Sequence, residues 1–185
     1  GNTKETLTVL ESASKMNCRV IAFSSGGQVE KFCLENNVEY RKIEKIHSPR
    51  VSLVNFLYSI LKILEPILSI KPDDVVDSIK KMRKLRDLIS SNNLNEKNDS
   101  LNIAKWITGI PLIYYPYGLQ AAAIRFKSCL QENSKIHAIT EDVIEACHNG
   151  IVAWEKSSYI QPILIEGVDD FVKTKERWKI LKEYF

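Results

Sequence analysis

Cys18–Ile43 reads CRVIAFSSGGQVEKFCLENNVEYRKI, and its reading decides the fold. Cys18–Phe23 is an apolar run containing β-branched Val20 and Ile21, with the length and composition of a strand buried on both faces. Ser24-Ser25-Gly26-Gly27 follows as a tight turn, and from Gln28 a helical period runs through Phe32 and Leu34. Val38–Ile43 is the next extended run. Strand, turn, helix and strand in that order make a crossover unit, and a crossover of this length joins parallel neighbours.

The alternation continues on both sides of this stretch, so the class is α/β. Upstream, Thr3–Lys15 reads as a helix with Leu7 and Leu10 on one face. Downstream, Pro72 and Asp73-Asp74 open a helix in which Val75, Ile79, Met82, Leu85 and Leu88 keep helical spacing. Asn92–Ser100 (NNLNEKNDS) is polar and reads as an exposed loop tolerant of insertion. A short helix is expected near Ile103–Ile107, a strand at Ile110–Tyr115, and a long helix from Gly118 to about Leu130. Lys135–Ile139 reads as a strand, Glu141–Cys147 as a helix, Pro162–Ile165 as the last strand and Asp169–Phe185 as the last helix.

Composition narrows the function classes. At 44% hydrophobic residues the chain has enough apolar surface for a substantial core. Lys and Arg number 26 against 23 Asp and Glu, for a net charge of +3, and the two signs are interleaved. Nucleic acid is therefore a poor expectation as partner. The four cysteines, Cys18, Cys33, Cys129 and Cys147, form no metal-ligand spacing and read as small reduced core residues. No charged segment precedes an apolar one with a cleavage site, so the cytoplasm is the expected compartment. Gly1-Asn2-Thr3 reads as a loop opened in its middle, and we expect a piece truncated at both ends.

Val51–Ile70 is the longest apolar stretch, yet Ser52, Asn55, Ser59, Lys62, Glu65 and Ser69 recur through it at helical spacing. Charges at the centre of a membrane span cost roughly 2.5–3.5 kcal/mol each, so Lys62 and Glu65 argue against insertion. We expect instead a nearly buried helix, covered either by the sheet and a neighbouring helix or by a partner subunit.

In open α/β sheets, ligands bind beyond the carboxyl ends of the strands. Gly1-Asn2-Thr3 opens onto a helix and offers an amide, a hydroxyl and free backbone N–H groups, suited to a phosphate. The alternative is an ordinary cap, with Thr3 bonding toward Thr6. Ser24-Ser25-Gly26-Gly27 offers a similar turn. Glu132, in Gln131-Glu132-Asn133, follows a long helix, where the negative end of the dipole suits a general base; the alternative is a solvated turn. His148-Asn149-Gly150 also ends a helix, while His137 alternates within an expected strand and His47 sits in a loop. Arg50, after His47-Ser48-Pro49, is either a grip for an oxyanion or a surface residue.

Taken in order, these fragments resemble the bifunctional phosphoglucose/phosphomannose isomerases of the sugar isomerase (SIS) fold. Gly1-Asn2-Thr3-Lys4-Glu5-Thr6, Ser24-Ser25-Gly26-Gly27 and Pro49-Arg50 carry the first part of the resemblance. Arg125-Phe126-Lys127, Gln131-Glu132-Asn133-Ser134-Lys135 and His148–Glu155 (HNGIVAWE) carry the more specific part, with 16 residues from Glu132 to His148. Two positions depart from the family's signatures: Gln131 stands where Asn is usual, and Gly150 where Glu is usual.

The resemblance implies a three-layer α/β sandwich with a mostly parallel, flavodoxin-like sheet. It implies that residues 1–185 are the second SIS domain of a two-domain enzyme, with part of the phosphate-loop region at the start. Glu132 resembles the base that moves a proton between C1 and C2 of the open-chain sugar. His148 resembles the histidine implicated in ring opening and contributed across a subunit interface, and Arg50 the arginine that stabilises the enediolate. Gly1, Asn2 and Thr3 resemble the end of the phosphate loop, with Ser24 and Ser25 as further substrate contacts. The expected partners are glucose 6-phosphate, mannose 6-phosphate and fructose 6-phosphate, together with a second copy in a homodimer that shares its active site. No metal, cofactor, nucleic acid or membrane is expected. Two alternatives stand beside this reading: a non-catalytic sugar-phosphate sensor, and an isomerase domain of the phosphosugar aminotransferase type.

Overall fold

The computed structural model describes residues 1–185, and the chain divides into two compact units, Gly1–Val75 and Val76–Phe185.

In the first unit, helix α1 (Lys4–Ala13) precedes strand β1 (Ile21–Ser24), helix α2 (Gln28–Glu35) and strand β2 (Glu39–Lys42). β1 and β2 pair in parallel, Ile21 opposite Glu39 and Ser24 opposite Lys42, which makes the crossover unit read from the sequence. Val29 and Cys33, one turn apart on α2, meet Leu10 of α1 and Ala22 of β1 in a closed apolar cluster. Gly26 and Gly27 turn the chain into α2 with φ of 128° and 82°, values that side-chain-bearing residues rarely adopt.

A 3-10 turn (Pro49–Val51) then leads into α3 (Leu53–Leu64). The apolar stretch expected as one helix to Ile70 stops at Leu64, because Pro66 has no N–H to continue the ladder. Nor is α3 covered: none of its residues is buried, and Leu53, Val54, Leu57 and Ile60 are exposed. No helix of the chain is long and apolar enough to cross a membrane.

Helix α4 (Pro72–Ile89) begins at Pro72, with Asp73 and Asp74 in its first turn, as read from the sequence. In the second unit, α5 (Asp99–Trp106), β3 (Ile110–Tyr115), α6 (Gln120–Cys129), β4 (Ile139–Asp142), α7 (Val143–His148), β5 (Ile160–Leu164) and α8 (Val172–Tyr184) follow. β3 lies between β4 and β5, parallel to both. The α/β class and the parallel pairing are those expected, with the strands shared between two sheets, one in each unit. Tyr114, Val143, Ala146, Trp178 and Leu181 form the core of this unit.

Three expectations are corrected here. The strand expected at Lys135–Ile139 is β4, four residues later, so Glu141 lies within a strand instead of starting a helix. Asp142 closes that strand and accepts the Ile144 backbone N–H at 2.8 Å, and so caps α7. The polar run Asn92–Ser100 is not wholly exposed: Asn98 is 2% exposed, donates to the Asn93 carbonyl at 2.9 Å and accepts from the Leu101 N–H at 2.9 Å as the cap of α5. Of the cysteines, all free, Cys33 alone is fully buried and Cys18 is exposed.

Candidate active site

Several residues singled out in the sequence surround one cavity of about 410 Å³ in the first unit. Gly1, Thr3 and Thr6 line it from the start of α1, Ser24 and Ser25 from the end of β1, and Ile43–His47 and Pro49 from the segment after β2. This is the carboxyl edge of a parallel pair, where the ends of strands meet the starts of helices.

The loops around the cavity are locked to each other. Val29 N–H donates to the Gly1 carbonyl at 2.9 Å, and Gln28 N–H donates to Asn2 Oδ1 at 2.9 Å. Asn2 thus caps α2 from 26 residues away and does not itself line the cavity. The approach is close: a Cβ on Gly1 would lie 1.6 Å from the Gly26 carbonyl oxygen, and one on Gly27 would lie 2.4 Å from Asn2 Oδ1. Ser24, 5% exposed, spends its hydroxyl on this turn, accepting the Gly26 N–H at 3.1 Å and lying 3.2 Å from Tyr40 Oη. Ser25 is exposed at the rim.

Thr3 stands at the N-cap of α1 without capping it, so its hydroxyl is not spent on Thr6. Thr6, Lys45 and His47 line the same cavity, and the sequence reading gave them no part in a site. The signal was available: Lys45 and His47 fall in the loop immediately after β2, the position at which parallel strands present ligand-binding residues. Arg50 lies in the adjoining 3-10 turn and is exposed. The lining therefore offers threonine and serine hydroxyls, a lysine, a histidine and the carboxylate of Glu44 around an apolar floor that includes Phe23 and Ile43. That set can hold a small molecule with one anionic end.

Glu132 and His148 belong to the second unit. The chain continues past α6 through a π-helical turn, Leu130–Ser134, that carries Glu132 on the surface. Lys135 closes this turn in the left-handed conformation, φ 59°, and its Nζ donates to the Glu132 carbonyl at 2.6 Å. π-helical turns concentrate at functional positions because they turn a side chain out of the regular ladder.

His148 is the last residue of α7 and is exposed. Beyond it, Asn149 Nδ2 donates to Glu145 Oε1 at 2.5 Å, and a 3-10 run, Gly150–Glu155, crosses toward β3, where Trp154 Nε1 donates to Tyr114 Oη at 2.9 Å. Burial pushes the Tyr114 phenol up, against the pull of the Trp154 hydrogen bond, with the charges of Glu141 and Cys147 adding to the rise. Glu141 is held above the ordinary carboxylate range by burial first and by the charge of Glu145 second. No group of three His, Cys, Asp or Glu side chains is arranged to hold a metal ion.

Residues 96–185 match the family described as the bacterial phospho-glucose isomerase C-terminal SIS domain. The chain is 27% identical to a bifunctional phosphoglucose/phosphomannose isomerase of Caldicellulosiruptor bescii over 99% of its own length and 56% of that protein's. It is 33% identical to the protein of the same name from Thermoplasma acidophilum, over 80% of the chain and 44% of the relative. A D-glucosamine-6-phosphate 4-epimerase of Sulfolobus acidocaldarius is 26% identical over 89% of the chain and 52% of its own length. The chain thus spans about half the length of the curated relatives it matches. Residues 96–185, about half of the chain, thus carry its likeness to the bacterial phospho-glucose isomerase C-terminal SIS domain.

Proposed function

We propose that this chain is part of an aldose–ketose isomerase that interconverts glucose 6-phosphate or mannose 6-phosphate with fructose 6-phosphate. The observation that carries this reading is the match of residues 96–185 to the isomerase C-terminal SIS domain combined with similarity to bifunctional isomerases along nearly the whole chain. In this reading the second unit is the C-terminal SIS domain, and the first unit carries the phosphate-loop region.

The chemistry is a proton transfer next to a carbonyl. The Glu132 carboxylate takes the proton from C2 of the open-chain aldose and the electron pair moves onto O1; a proton then passes from O2 to O1, and Glu132 returns its proton to C1 to give the ketose. Arg50 stabilises the negative oxygen of the enediolate, which needs a fixed positive charge that is already in place. His148 assists ring opening. Gly1 and Thr3 hold the phosphate, with Asn2 fixing their loop and Ser25 at the rim. Glucose 6-phosphate and mannose 6-phosphate differ only at C2 and share one enediol, so a single base serves both if the intermediate turns about C2–C3. The proton transfer itself asks for no metal or redox partner. The working form in this proposal is a cytoplasmic homodimer, supported by the uncovered apolar residues of α3.

The test uses the intact parent chain, assayed from fructose 6-phosphate toward glucose 6-phosphate and mannose 6-phosphate, for wild type and Glu132→Gln. Both products are expected, with a loss of about a hundredfold or more in the variant, the usual effect of removing a general base. Binding of fructose 6-phosphate without either product means a sensor rather than an enzyme. Glucosamine 6-phosphate belongs in the same assay, because the similarity to a 4-epimerase of that compound favours epimerisation as the second reading.

A further inference from the structure

Glu141 is a half-buried carboxylate to which the proposed chemistry gives no task. It stands near the carboxyl end of β4 beside Tyr114, its register partner on β3. A Cβ built on Gly150 would lie 2.9 Å from one Glu141 carboxyl oxygen, 3.2 Å from the other and 3.4 Å from the carboxyl carbon. The carboxyl group therefore fills the volume against Cα of Gly150, two residues beyond His148. The turn that carries His148 is tied at two other points, by Asn149 to Glu145 and by Trp154 to Tyr114.

We propose that Glu141 is a positioning residue for His148: its carboxyl group, seated against Gly150, sets where the turn from His148 to Trp154 lies on the sheet. The proposal rests on the reading of His148 as a functional residue. Glycine at 150 is what makes the arrangement possible, since a side chain there would push the carboxyl group aside. The titratable groups that interact with it are Glu145 on α7 and Tyr114 on β3; Cys147 acts on Tyr114, and Arg177 of α8 on Cys147. Glu145 is the charge that acts on Glu141, and it repels. Ionisation of Glu141 therefore sets a second negative charge against that of Glu145 beside the turn.

The test is made on the intact parent chain with Glu141→Ala, Glu141→Gln, Gly150→Ala and the double variant of Glu141→Ala with Gly150→Ala. We expect kcat for fructose 6-phosphate to fall about tenfold or more in Glu141→Ala with KM little changed, since misplacing a reacting group acts on the chemical step. Gly150→Ala should reproduce that loss and add nothing in the Glu141→Ala background. Glu141→Gln, which keeps the shape, should recover most of kcat, a rescue that loss of folding would not allow. By NMR, the Asn149 and Gly150 amides of the wild type should move through a pH step above the ordinary carboxylate range, and Glu141→Gln should lack it. Wild-type kcat in Glu141→Ala, or amides that show no such step, overturns the proposal. If the parent chain isomerises no sugar phosphate, the isomerase reading fails separately, and the NMR step still decides the part of Glu141.

Discussion

Replacing Tyr114 by Phe removes one oxygen from the middle of the second unit and leaves the ring in place. Tyr114 is 1% exposed, its ring is stacked on Phe185 at 5.9 Å between centroids, and its hydroxyl accepts the Trp154 indole N–H at 2.9 Å. The variant keeps the stacking and strands the indole donor. A buried donor left without a partner costs about 1–3 kcal/mol, and because Trp154 is only half-buried we take about 1–2 kcal/mol. For a chain of this size that is a fall of roughly 2–8 °C in Tm. Thermal melts followed by circular dichroism, with Trp154→Phe and the double variant completing a cycle, measure it. The cycle should give a coupling of about 1 kcal/mol, because the second substitution has no hydrogen bond left to remove. The pH dependence is also fixed. Burial holds the folded-state phenol above its ordinary value, so it destabilises only where pH rises past the ordinary tyrosine range, and the cost of Tyr114→Phe should be constant across neutral pH. A variant that melts with the wild type, or additive costs in the cycle, refutes the reasoning.

Glu141 predicts a slope in stability with pH. Its folded-state value is raised, so its contribution is intact below the ordinary carboxylate range and is lost as pH climbs through the window up to the raised value; Glu141→Gln should flatten that part of a Tm-against-pH curve. Asn2→Ala removes the cap that holds Gln28 N–H and should cost the first unit about 1 kcal/mol in urea denaturation, whereas Asn2→Asp should cost less. Thiol labelling followed by mass spectrometry should modify exposed Cys18 first, with Cys33 and Cys147 slow, because burial pushes both thiols up and the thiolate is the reactive form.

The elements legible in the sequence are those whose signals are local. Ile110–Tyr115 is a six-residue apolar run and is a strand at those bounds; Pro72 and the two aspartates mark a helix start where one is found. What escaped the reading depends on residues distant in the chain. Asn2 looks like a ligand-binding amide or a cap for the adjoining α1, whereas its actual partner is 26 residues away. Asn98 looks solvated among other asparagines, yet it folds inward to hold the carbonyl of Asn93 and the N–H of Leu101. β4 is hidden by Glu141 and Asp142, whose charges speak against a strand until one sees that the first sits against Gly150 and the second caps α7. For the candidate site, the residue types were legible and the cavity around Gly1, Thr3, Ser24 and Ser25 gathers several of them, while Lys45 and His47 lacked any motif to single them out.

The tie between Asn2 and α2 also decides which of the two nearby helix starts is open to the cavity. Two helices begin beside it, but the Gln28 and Val29 amides at the start of α2 are already engaged by Asn2 and Gly1. The start of α1, flanked by Thr3 and Thr6, keeps its first-turn amides, so of the two helix starts it is the one whose electropositive end is open to the cavity. In the proposed isomerase reading the phosphate takes that position, and the remainder of the sugar extends toward Ile43–His47 and Phe56. The cavity is in this sense a polarised slot with a head and a tail, and discrimination among ligands that share the same head falls to the residues along the tail.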